Sequence, residues 1–140
     1  MTDITTKHPP VGPPEECSSP DDAGQKLLAQ YRQSAVAGLR NVTLICDEVS
    51  ALCPLTKQPD QYLVKIRYRP SGYIVESKAL KGYLQTYRNV GVLAETLSAT
   101  IAAHIGASLS AKWVRVKVRQ KSRGGISICA KSRWPSEVSL

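Results

Sequence analysis

Residues 93–125 read LAETLSATIAAHIGASLSAKWVRVKVRQKSRGG, and the spacing of their apolar positions changes partway along. Leu93, Leu97, Ile101, Ile105 and Leu109 recur every fourth residue in an Ala-rich stretch, which lays one apolar face along a helix and predicts one over 93–109. In KWVRVKVRQ, over 112–120, apolar Trp113, Val114, Val116 and Val118 are set against basic residues, the pattern of a half-buried strand. The pair Gly124-Gly125 leads from it into a final strand, ISICA, at 126–130.

Reading towards the N-terminus, SKALKGYLQTYRN (77–89) predicts a helix entered at Ser77, with an interruption at Gly91. Residues 73–76 form a short strand after a turn at Pro70, Ser71 and Gly72. The β-branched, alternating segments 41–49 (NVTLICDEV) and 62–68 (YLVKIRY) predict two strands, separated by a loop, SALCPLTKQPDQ, punctuated by Pro54 and Pro59. Apolar residues over 25–37 recur at loosely helical spacing with Gly38 as a stop, although that stretch equally suits the approach to a strand. Strand, strand, helices, strand, strand describes an α+β fold with an antiparallel sheet.

At 140 residues the chain holds one domain rather than two that each bury a core. Five of the nine prolines fall in residues 1–24, where apolar side chains are too few for a core. The expectation is therefore a disordered arm over 1–24 and a single domain over 25–140. The net charge of +8 suits a phosphate-bearing partner, either nucleic acid or a smaller anion such as a dinucleotide. Four cysteines without a C-x-x-C pair, beside two histidines, argue against a metal site. With no leader pattern and no long apolar run, the expectation is a cytoplasmic chain with free thiols and no membrane partner.

Cys53 follows a strand in a Pro-bounded loop that also carries Asp60, and a thiol nucleophile needs such access together with a group that handles protons. Cys46 and Cys129 lie inside apolar strands and read as small buried hydrophobes. Lys78 and Lys81 are three apart near a helix N-terminus, an arrangement that suits phosphates or simply a solvated helix face. Arg123 and Gly124 pair a cation with approachable backbone. Glu95, in the first turn of the 93–109 helix, either caps that turn or accepts two hydrogen bonds from the N–H edge of a purine-like ring. His104, further along, reads as a packed or exposed side chain.

Three blocks in order, SALCPLTKQPD, IVESKALKGYLQTYRN and RGGISI, make residues 48–135 resemble the short, single-module NADPH-dependent 7-cyano-7-deazaguanine reductases of the QueF family. The resemblance implies a tunnelling fold, in which helices pack on one face of an antiparallel sheet and subunits close into a barrel. It implies a homo-oligomer, a ring of five or two such rings stacked, and a small deazapurine substrate. The implied reaction reduces a nitrile to a primary amine through a Cys53 thioimidate, with Asp60 as proton donor, for queuosine-type deazapurine biosynthesis. Glu95, Glu76 and Ser77 would hold the substrate, and Lys78, Lys81, Arg123 and Gly124 the NADPH phosphates. The family usually has His before the anchoring glutamate where this chain has Ala94, which cannot relay a proton. The alternative keeps the thioimidate but has ammonia, water or an amine attack it, as in an amidinotransferase or nitrile-hydrolysing relative whose deazaguanine is free or in nucleic acid.

Overall fold

The computed structural model describes residues 22–137. Along the chain run α1 (Asp22–Gln30), β1 (Gln33–Ser34), β2 (Val42–Leu52), β3 (Pro59–Arg69), β4 (Tyr73–Ile74), α2 (Ser77–Gln85), α3 (Ala94–Leu109), β5 (Trp113–Arg123) and β6 (Ile126–Trp134). Four strands form one antiparallel sheet in the order β2-β3-β5-β6, while β1 and β4 pair as a separate small ribbon.

Alternation decides which face of the sheet is covered. Tyr62, Val64, Ile66 and Tyr68 of β3 and Val114, Val116 and Val118 of β5 are buried, and the residues between them are exposed. Helix α3 lies on the buried face against β5 and β6, and α1 packs on α2 and α3. The apolar stripe of α3, Leu97, Ile101, Ile105 and Leu109, is entirely out of water. Gly106 lets the helix approach β6: a Cβ there would overlap the indole of Trp134. The β5–β6 hairpin turns on Gly124 and Gly125, whose φ values of 61° and 81° match the left-handed pair of a two-residue turn between Arg123 and Ile126.

The 93–109 helix is present as Ala94–Leu109 with Leu93 at its N-cap. Elsewhere the pattern shifts in ways with physical causes. The expected helix over 25–37 ends at Gln30, because Gln33 and Ser34 pair with β4, and Arg32 donates to the carbonyl of Ser108 and lies over the Tyr73 ring. Of the expected arm, residues 22–24 belong to α1, and residues 1–21, with His8 and Cys17, lie outside the described residues. Helix α2 is capped by Glu76 instead of Ser77, since the longer carboxylate reaches two backbone N–H groups at once. Asp60 belongs to β3 rather than to the loop, because Pro59 can open a strand, where it owes no ladder hydrogen bond. Cys129 is exposed, not the buried hydrophobe expected, whereas Cys46 is half-buried and packs against the core. No helix among the described residues is long and apolar enough to cross a membrane.

Candidate active site

Strand β2 stops where the ladder to β3 opens into a tight loop. Its last residue, Leu52, donates to the carbonyl of Val90 (2.9 Å) and accepts from the N–H of Val92 (3.0 Å), so the segment between α2 and α3 is tied to the strand end. One residue later the Cys53 N–H donates to the Gln58 carbonyl (2.8 Å), and the Cys53 carbonyl accepts from the N–H of Lys57 (2.9 Å). Lys57 sits in the left-handed region at φ 60°, which closes the turn. Two hydrogen bonds at one residue hold the Cys53 backbone.

Two further elements meet this loop. Asp60, at the start of β3, pairs in register with Ala51 and is 5% exposed. Arg123, the last residue of β5, places its Nε 3.2 Å from Asp60 Oδ1 and donates from Nη1 to the Thr56 hydroxyl at 2.9 Å. Burial pushes the Cys53 thiol up, but donors to its sulfur outweigh that: the hydroxyl and N–H of Thr56, the Arg123 guanidinium and the N–H of Leu55 bring it down to about 7. A thiol with that value is substantially thiolate at neutral pH, which is what a nucleophilic sulfur requires. The same contact raises Arg123, chiefly through its hydrogen bond to Cys53.

Tyr62 follows Asp60 on the buried side of β3. Its hydroxyl is buried with no hydrogen-bond partner, and burial, then the charges of Asp60 and Cys53, push it up to about 12 despite Arg123. The Glu95 charge reaches the same hydroxyl, so α3's first turn lies near the cluster.

Cys53, Asp60 and Arg123, separated by up to seventy residues of chain, are thus brought together, with Glu95 near and exposed. The segment Glu76–Lys81 is not joined to them by any hydrogen bond or ion pair among the described residues. Both Glu76 carboxylate oxygens are used as the α2 cap, accepting from Lys78 N and Ala79 N at 2.8 Å each, and those bonds lower its pKa. Two of the backbone donors expected to suit a phosphate are therefore occupied. Ser77, Lys78 and Lys81 remain exposed on α2, and nothing lies within 4 Å of where side chains at Gly124 and Gly125 would be. Thr56 and Tyr62 escaped the sequence reading. A hydroxyl three residues beyond the cysteine in a Pro-bounded loop was a signal that could have found the first; Tyr62 looks like any inward strand residue. His104 packs, its Nδ1 2.8 Å from the Tyr83 hydroxyl. Among the described residues no cluster of His, Cys, Asp or Glu could hold a metal ion.

Comparison with known proteins gives consistent results. Residues 59–138 match the family described as QueF-like protein. Over 99 residues, 71% of this chain and 79% of the relative, the sequence is 37% identical to an NADPH-dependent 7-cyano-7-deazaguanine reductase from Frankia casuarinae. A reductase of the same name from Helicobacter pylori (strain Shi470) is 45% identical over 87 residues, 62% of this chain but only 60% of that longer protein. The apo crystal structure of the archaeosine synthase QueF-Like superposes with a TM-score of 0.65 over 69% of this chain and 94% of that one; at 22% identity it is a likeness of fold.

Proposed function

This chain belongs to the QueF-like protein family, and from that premise we propose that it is an NADPH-dependent reductase of 7-cyano-7-deazaguanine, acting through a covalent adduct on Cys53 and feeding queuosine-type biosynthesis. The observation that carries the reading is the Cys53 thiol, lowered to about 7 by Thr56 and Arg123 and standing beside the buried Asp60.

Cys53 and Asp60 enter the step holding one proton between them: the thiolate adds to the nitrile carbon, forming one C–S bond as one π bond of the nitrile passes its electron pair to nitrogen, and protonated Asp60 gives that nitrogen its proton, leaving a neutral thioimidate. NADPH, when bound, would supply a hydride at each of two stages. Between them the sulfur must leave again, and a thiol with a pKa near 7 is a good leaving group as well as a good nucleophile. Arg123 holds both groups in place: its guanidinium spans Asp60, Thr56 and the sulfur, and it stands ready to take part of an anionic ligand's charge. The Glu95 carboxylate accepts hydrogen bonds from the ring's N–H edge, with Glu76 and Ser77 at the border of the pocket. The residues fit a phosphate-bearing cofactor: Lys78 and Lys81 are exposed on α2 and form no salt bridge among the described residues, although the Glu76 charge reaches Lys78, and the backbone around Gly124 is open.

In this reading the active form is a homo-oligomer, a ring of five or two stacked rings, with the sheet extended edge to edge into a barrel. Apart from the tie of Leu52 to the 90–92 segment, the outer edges of β2 and β6 pair with no other strand among the described residues, and Leu55, Ile126 and Leu93, all near the cluster, expose large apolar side chains. A neighbouring subunit supplies the missing wall of the pocket.

The deciding experiment is anaerobic incubation with the free nitrile base and NADPH, following cofactor oxidation and product mass together. Two NADPH consumed per base and an aminomethyl product are expected, with neither from Cys53→Ala. A Cys53 adduct without NADPH oxidation would overturn the reductase in favour of a transferase or hydrolase using the same thioimidate, the reading that Ala94 favours in offering no imidazole at the start of α3.

A further inference from the structure

The sheet face turned away from the helices carries a second feature, independent of Cys53. Register places Arg67, Arg115 and Arg133 side by side across β3, β5 and β6, and Lys65, Lys117 and Lys131 side by side in the next outward row. All six are exposed. Neighbouring strands are about 4.8 Å apart and alternate residues about 7 Å apart, so six cations occupy a patch roughly 10 Å by 7 Å. On β2 the rows continue into Thr43 and Ile45, and among the described residues no carboxylate pairs with any of the six. Like charges directly opposite each other weaken a sheet, so this face meets its electrostatic complement only when a polyanion covers it.

The six line the walls of a groove of about 400 Å³. At the end of the arginine row stands Trp113, half-buried, with the guanidinium groups of Arg115 and Arg67 5.0 and 5.8 Å from its ring centroid. We propose that this face binds single-stranded nucleic acid, phosphates following the cation rows and an unpaired base stacking at the Trp113–arginine cluster. Closely spaced cations beside an aromatic platform are the means by which proteins hold single strands without reading sequence. A flat anionic membrane would touch the rim of the groove, whereas a flexible phosphate chain follows its floor. The inference stands whether or not the reductase reading does.

The test uses the full chain in its native assembly and a fluorescein-labelled oligouridylate of about 20 nucleotides, with anisotropy read across salt. If all six cations engage, log Kd changes with log salt with a slope near 4 in magnitude, roughly 250-fold weaker binding between about 50 and 200 mM salt. Binding quenches tryptophan emission, and Trp113→Phe removes most of that quench and weakens binding about tenfold. In Arg115→Glu/Lys117→Glu the affinity falls at least about a hundredfold. That variant melts at a higher temperature, because each new carboxylate faces a cation on both sides, and it keeps its activity toward the free nitrile base. Binding that ignores salt, a folded double variant that binds as tightly as the parent, or capture by phosphatidylserine vesicles but not by the oligonucleotide would each overturn the proposal.

Discussion

At the scale of single residues, the chemistry rests on how few groups are needed to alter a thiol. Burial alone would make Cys53 less acidic; Thr56, Leu55 and Arg123 reverse the sign. Its alkylation rate by iodoacetamide should therefore rise with a midpoint near pH 7, and Thr56→Ala and Arg123→Gln should each move that midpoint upward, since each removes a donor and leaves the burial. An unmoved midpoint in both variants would show that the thiolate is held by something else. The same shift has a consequence for stability. A thiol that titrates at the ordinary value of 9.0 when unfolded and at about 7 when folded contributes stability that is fully present above pH 9 and lost as pH falls through 7. The melting-temperature gap between the parent and Cys53→Ala should be wider at pH 9 than at pH 6. Tyr62 offers a contrasting case: its buried hydroxyl has no partner, so Tyr62→Phe should leave stability unchanged or raise it by about 1 kcal/mol in urea unfolding. A clear loss would mean the hydroxyl is hydrogen-bonded in solution.

At the scale of elements, each group of the proposed site stands at the end of a strand or helix: Cys53 just past β2, Asp60 at the head of β3, Arg123 at the tail of β5 and Glu95 in the first turn of α3. Strand ends are positioned by the ladder behind them, so packing far from the thiol determines its geometry. The closest such packing is α3 on β6 at Gly106 and Trp134. Gly106→Ala improves helix propensity, yet it should destabilise the protein by about 1–3 kcal/mol, because the added methyl has no room beside the indole. Urea midpoints settle this, and a stabilised variant would show that α3 is free to slide. Because α3 also carries Glu95, substrate affinity should weaken in the same variant while the alkylation midpoint of Cys53 stays where it was.

At the scale of the whole molecule, a four-stranded sheet with two open edges and a cluster at one end is an incomplete object. Light scattering on the purified chain should give a mass that is a multiple of five subunits, and nitrile reduction should fall on dilution as the assembly separates. A fully active monomer would refute the shared pocket. The charge of +8 is likewise organised at this scale. Six of its cations lie in one patch because alternation sends every second residue of three neighbouring strands to the same side.

Local pattern was enough to find the helix over Ala94–Leu109, the four long strands and the antiparallel α+β class, and to single out Cys53 and Asp60 as candidates, because periodicity and loop punctuation are written in neighbouring residues. Family resemblance added the substrate class and the cofactor. Helix α1's early end, the Glu76 cap, the exposure of Cys129 and the recruitment of Thr56 and Tyr62 could not be read the same way, since each depends on a partner brought close only by folding. The acidity of Cys53 belongs to this second group as well. A sulfur's pKa is set by which donors surround it, and Arg123, seventy residues away along the chain, reaches it only when β5 lies in register beside β3.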